Sequence, residues 1–130
     1  MIVPALEPNV TQVTAYLPSG RWYDVVESTP IHSKGEYVKL DSPLDKINVL
    51  VRGGSILPSQ PNKLTTTESR KGNFSLIVAL DDDQKAFGEL YWDDGDSLDT
   101  AIVGRFNLFK FASEKVLKTC TIHYSKLIAY

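Results

Sequence analysis

Apolar and polar side chains alternate along the first fifty residues instead of recurring every third or fourth position, and a period of two is the signature of a strand. Val13, Ala15 and Leu17 fall on one face, with Gln12, Thr14 and Tyr16 on the other. Pro18-Ser19-Gly20 closes that run as a turn. Further strands are predicted over 21–26, 36–40 and 47–51, the last placing Ile47, Val49 and Val51 together against Asn48 and Arg52. Thr29-Pro30 and Asp41-Ser42-Pro43 separate them with the usual breakers.

From Pro58 to Asn73 the pattern lapses into Ser, Thr, Gln, Asn, Lys and Pro, a stretch that buries almost nothing and reads as a linker. The apolar run 74–80 that follows suits a strand covered on both faces, and Asp81-Asp82-Asp83 reads as a turn. Alternation returns over 87–92, with Phe87 and Tyr91 opposite Leu90 and Trp92. Asp93-Asp94-Gly95-Asp96-Ser97 then signals a hairpin. Strands over 102–111 and 116–124 complete the reading. Leu108, Phe111, Ala112 and Val116 share a helical face, but Phe106, Phe109 and Phe111 favour a strand by aromatic enrichment. About eight short strands at regular spacing predict an all-β, antiparallel β-sandwich.

Composition narrows the functional classes. The chain has 130 residues, 42% of them apolar and 23% charged, which is ordinary for a globular fold and too short for a (β/α)₈ barrel. A formal charge of −2 supplies no footprint for nucleic acid or an anionic membrane, so neither is expected as a partner. Cys120 is the single cysteine, which excludes an internal disulfide and a cysteine zinc site and suits a small apolar core residue. The opening Met1-Ile2-Val3-Pro4-Ala5-Leu6 lacks the basic and long apolar regions of a leader, leaving a cytosolic protein or the interior of a longer secretory chain.

Candidate chemistry is sparse. His32 and His123 have no nucleophile motif beside them and read as structural or solvated. The acidic turn Asp93-Asp94-Gly95-Asp96 misses the register of a calcium loop and reads as a plain turn. Trp22, Tyr23, Tyr91 and Trp92 are candidates for sugar stacking, against which stands core packing, since neighbours in a strand point to opposite sides. Sequons occur at Asn9-Val10-Thr11 and Asn73-Phe74-Ser75, both beside predicted turns or linker, making Asn9 and Asn73 glycosylation candidates.

Four segments carry a more specific resemblance: Pro4-Ala5-Leu6-Glu7-Pro8, Val13-Thr14-Ala15-Tyr16-Leu17-Pro18, Gly20-Arg21-Trp22-Tyr23-Asp24 and Val51-Arg52-Gly53-Gly54-Ser55-Ile56-Leu57-Pro58. In order and spacing they resemble the region after the catalytic barrel in glycoside hydrolase family 31, in its branch of lysosomal and intestinal α-glucosidases. Leu76-Ile77-Val78-Ala79-Leu80-Asp81 and Gly88-Glu89-Leu90-Tyr91-Trp92-Asp93-Asp94-Gly95 continue the likeness, which fades after Val116. The resemblance implies a proximal C-terminal β-sandwich over 1–58, a linker over 59–73, and the truncated beginning of a distal β-sandwich over 74–130, so that the chain reads as a fragment.

The resemblance also implies that the parent is a retaining α-glucosidase acting on terminal α-linked glucose of maltose, maltodextrins or glycogen. Both of its catalytic Asp residues would lie in the barrel. Trp22-Tyr23-Asp24 echoes the family's nucleophile motif by spacing but lacks the Met-Asn pair that follows it, so no catalytic role passes to Asp24. No catalytic, substrate-binding or metal residue and no cofactor is therefore expected here. The expected partners are the barrel of the same parent chain and, through it, the carbohydrate substrate, with Arg52, Trp22 and Trp92 as interdomain-contact candidates. The implied address is the secretory pathway, lysosomal or extracellular and cell-surface. The alternatives are an autonomous carbohydrate-binding module using Trp22 or Trp92 and a small hydrolase in its own right.

Overall fold

The computed structural model describes residues 1–114. Cys120, His123 and the strand predicted over 116–124 lie outside the described residues. The fold is all-β and antiparallel, as the alternation predicts, and its residues gather into two compact units. Residues 1–55 with 79–83 form the first, and 56–78 with 84–114 lie in the second. The crossings at 55/56 and 78/79 fall inside strands, and the crossing at 83/84 falls in a turn.

The first unit holds β1 (Ile2–Val3), β2 (Gln12–Leu17), β3 (Gly20–Asp24), β4 (Pro30–Ser33), β5 (Glu36–Asp41) and β6 (Asn48–Arg52). One sheet has the order β1-β6-β3-β4, and β2 pairs with β5 in a second. Leu17, Trp22 and Leu50 form its buried cluster, with Ile31, Val38 and Leu40 packed around them. Both sheets therefore supply one core, which is the arrangement of a sandwich. Pro30 opens β4, an edge strand, where its missing N–H leaves no ladder bond unmade.

The inward face of β6 corrects the sequence reading. Ile47 is 60% exposed, whereas Asn48 and Leu50 are 2% and 1% exposed. Asn48 is drawn inside because its Nδ2 donates to the Asp41 carbonyl at 3.1 Å, satisfying two polar groups that burial would otherwise leave unpaired. Val51 is buried as well, so this strand is covered on both faces.

The second unit is built on β7 (Ser55–Ser59), β8 (Ser75–Ala79), β9 (Lys85–Trp92) and β10 (Asn107–Glu114), in the order β10-β9-β7-β8. Ile56, Ala86 and Phe111 are its buried apolar residues. Gly88 lies opposite Phe111 in the β9–β10 ladder, and a Cβ there would press into Ile56 of β7. The run 74–80 is not covered on both faces. It contains the edge strand β8, with Phe74 and Ile77 exposed.

Two short helices replace structure expected otherwise. α1 (Thr66–Arg70) interrupts the predicted linker, capped by Thr65, whose hydroxyl accepts from Glu68 N–H at 3.2 Å. α2 (Thr100–Val103) occupies the start of the run expected as strand and ends at Gly104, left-handed at φ 71°. The tight hairpin predicted at 93–97 is thus a longer connection, for Trp92 pairs with Asn107. No helix among the described residues is long and apolar enough to cross a membrane.

Candidate functional site

The Arg-Gly-Gly turn between β6 and β7 is tightly constrained. Gly53 N–H donates to the Arg21 carbonyl at 2.7 Å, and Gly54 N–H donates to the Ala79 carbonyl at 2.8 Å. A Cβ on Gly53 would stand 2.8 Å from the Leu80 carbonyl oxygen and 3.1 Å from Asp81 Cα, both backbone atoms that cannot swing aside. Gly54 has φ 92°, a conformation other residues avoid. The chain 79–83 is held there from a second side: Tyr23 Oη donates to the Leu80 carbonyl at 2.8 Å, and Arg21 Nε lies 3.2 Å from Asp82 Oδ1. His32 sits 3.8 Å from the same Asp82 oxygen, on the exposed surface.

Arg52 and Trp22 both bond within their own unit. The Arg52 guanidinium donates to the Ser19 carbonyl at 3.3 Å and lies 5.9 Å from the Trp22 ring centre. Trp22 is 6% exposed, and its indole N–H donates to the Pro18 carbonyl at 2.9 Å. A ring so enclosed has no face to offer a sugar. Of these two contact candidates, only Arg52 presents an exposed side chain.

Asp24 is the buried acid among the described residues, and its oxygens are committed. Oδ1 accepts from the N–H groups of Val26 and Glu27 at 2.8 and 2.9 Å, while Oδ2 lies 3.2 Å from Lys46 Nζ. Burial pushes the Asp24 carboxyl up, but those two backbone donors and the Lys46 ammonium outweigh it and hold the group below the usual aspartate range. Such a carboxylate pins the turn after β3.

In the second unit Trp92 stands at the end of β9. The Arg70 guanidinium lies 3.9 Å over its ring, and the Phe74 ring meets it edge-on at 4.9 Å between centroids. Arg70 also donates to the Asp93 carbonyl at 2.5 Å. Gly95, at φ 76°, leaves the guanidinium room, for a Cβ there would come within 2.8 Å of Arg70 Cζ. Nothing in the polar composition of 59–73 foreshadows this role of Arg70. The Thr65-to-Glu68 spacing, a capping signal, was the one clue that a helix presents it.

The acidic loop beyond Trp92 binds its own backbone. Asp93 Oδ1 accepts from Gly95 N–H at 2.9 Å, and its Oδ2 accepts from Thr100 Oγ1 at 2.7 Å. The Thr100 hydroxyl is in turn 2.8 Å from Tyr91 Oη, so the proton on Tyr91 is directed at Thr100. Asp94 accepts from the Ser97 hydroxyl at 2.6 Å and from the N–H groups of Asp96 and Ser97. The Ser97 hydroxyl and these backbone donors lower the Asp94 carboxyl from 3.8 to about 2. Among the described residues no group of three potential ligands is placed to hold a metal ion.

A groove of about 440 Å³ in the first unit is lined by Ile2, Val3, Leu6, Val10, Val13 and Tyr16 among others. Its one carboxylate is Glu7. Glycoside hydrolysis by double displacement needs two carboxyl groups across the scissile bond. The groove therefore has the lining of an apolar contact surface and lacks that pair. Asn9 and Asn73, the sequon residues, are both exposed.

Residues 1–57 match the model of the glycosyl hydrolase family 31 C-terminal domain. The lysosomal alpha-glucosidase of Rattus norvegicus is 42% identical over 97% of this chain, and the probable maltase-glucoamylase 2 of Homo sapiens is 44% identical over 95% of it. The chain spans 15% and 5% of the length of those relatives. A glucosidase II alpha subunit in its Tris-bound form superposes with a TM-score of 0.85 at 29% identity, covering 95% of this chain and 13% of that one. The dextranase of Flavobacterium johnsoniae bound to glucose gives 0.79 at 26% identity, covering 88% and 14%. Sequence and fold agree that this chain belongs to glycoside hydrolase family 31, as its C-terminal β region.

Proposed function

We propose that the chain is the non-catalytic C-terminal β region of a retaining α-glucosidase that cleaves terminal α-linked glucose from maltose, maltodextrins or glycogen. Its role is to brace the catalytic barrel of the same parent chain, the first unit as the proximal domain and the second as part of the distal one. One observation carries this reading: the residues of the family pattern, Trp22, Arg52, Gly53, Gly54, Trp92 and Gly95, all engage the backbone, rings or Arg70 guanidinium of their own unit. The apolar groove lined by Ile2, Leu6 and Val10 supplies a surface of the kind a neighbouring domain covers. The relatives named lysosomal and intestinal support a secretory-pathway address.

The purified chain is expected to release no glucose from maltose or an aryl α-glucoside. Turnover that survives purification and vanishes on replacing any Asp or Glu of this chain would sink the reading. A carbohydrate-binding module is disfavoured by the enclosure of Trp22 and by the occupation of Trp92 by Arg70 and Phe74. Titration with maltooligosaccharides should accordingly leave tryptophan fluorescence unchanged.

A further inference from the structure

We propose that Asn73 is the acceptor of an N-linked oligosaccharide whose bulk shields the edge of β8 that is unpaired among the described residues. The inference rests on the secretory address proposed above. Within the described residues β8 ends the sheet order β10-β9-β7-β8, so β7 is its one paired neighbour and its outer backbone groups face away from the ladder. The sequence through it, Phe74-Ser75-Leu76-Ile77-Val78-Ala79-Leu80, has no charge, no Pro and no Gly. That is the composition that templates pairing with another chain, and folds ordinarily blunt such an edge with Lys, Pro, a bulge or a cover. None of the first two is present in this strand, and the sequon stands at its entrance.

The two sequons differ in what the fold asks of them. Asn9 adopts φ 61°, a left-handed turn position for which Asn is among the favoured residues, so local backbone geometry accounts for it. Asn73 has no such duty: it is exposed, and its amide has no hydrogen-bond partner among the described residues. The Phe74 ring turns to Trp92, and alternation carries Ser75, the third sequon residue, to the other side, where it is exposed. In the transfer, Asn73 Nδ2 attacks C1 of a lipid-diphosphate-linked oligosaccharide. The N–C1 bond forms, the bond from C1 to the diphosphate oxygen breaks, the lipid diphosphate leaves, and the amide gives up one proton.

The chain translated behind a cleavable leader into microsomes tests this regardless of where the native protein resides. Peptide mapping should find an oligosaccharide on Asn73 that is absent from both Ser75→Ala and Asn73→Gln. The deglycosylated chain and the Ser75→Ala variant should then self-associate at several-fold lower concentration than the glycosylated chain. Thr11→Ala, which abolishes the other sequon, should not change association. An unmodified Asn73 in leader-cleaved, luminal chain overturns the assignment, and unchanged association on removing the glycan overturns the shielding role. Imaging the native protein separately tests the secretory address, and its failure would leave the microsome result standing on its own.

Discussion

The two tryptophans of the family pattern end up in opposite settings. Trp22 is sealed into an apolar cluster with Leu17 and Leu50, and its single polar atom is satisfied by the Pro18 carbonyl. Trp92 is partly buried and held from outside, by a guanidinium over one face and a phenyl edge against the ring. Apolar enclosure of a whole ring is worth more than one cation–π contact and one edge contact. The first unit is thus stabilised by its core, and the second depends more on polar side chains that fasten loops to its sheet.

Trp22→Ala should break this contrast most severely, costing about 3–5 kcal/mol because it empties the core and strips the Pro18 carbonyl of its donor. Urea unfolding read by circular dichroism measures the loss, and hydrogen exchange should show protection falling first in β2, β3, β5 and β6. A cost close to that of Trp92→Ala would mean that the two settings are equivalent. Gly53→Ala is expected next, at about 1–3 kcal/mol, since the added methyl meets backbone that cannot yield. Replacing the neighbouring Arg52 by Ala should cost less than about 1 kcal/mol, which separates the turn's steric demand from its charge.

Trp92→Ala should cost about 1–2 kcal/mol, the sum of one edge contact and one cation–π contact. Arg70→Ala in the Trp92→Ala background should add less than in the wild type, and full additivity in that double-mutant cycle would refute the coupling. The smallest effect is electrostatic. Asp94 is lower in the folded chain, about 2, than its ordinary 3.8, so its contribution is present above pH 3.8 and lost as pH falls through about 2. Asp94→Asn should flatten the dependence of the urea midpoint on pH in that window. Parallel curves for the two proteins would remove the carboxylate from the account.

Strand periodicity was legible from the chain because a half-buried strand must alternate, and β2 shows it plainly with Val13, Ala15 and Leu17 turned inward. The position of Gly95 was legible for a similar reason, since glycine next to Asp in a polar run marks a left-handed turn. By contrast, the inner face of β6 could not be read from hydropathy. Burying Asn48 becomes favourable only once the Asp41 carbonyl is brought to within hydrogen-bond reach by the fold. For α2, Asp99 at the N-cap and Gly104 beyond the last turn were local signals, but aromatic enrichment downstream masked them.

By itself, then, the sequence determined the class of structure and the family, because each rests on local spacing or on residue identities in order. Tertiary structure decided what those residues are for. Gly53 has to be glycine because Leu80 and Asp81, distant in the chain, occupy the space a Cβ would need. Asp24 anchors the turn after β3 because Lys46 and two backbone donors occupy its oxygens, and one face of the Trp92 ring is covered because Arg70 reaches it from a helix within a polar stretch. Apart from the two backbone donors to Asp24, these are contacts between residues remote in sequence, and hydropathy and spacing carry no information about which remote groups folding will bring together.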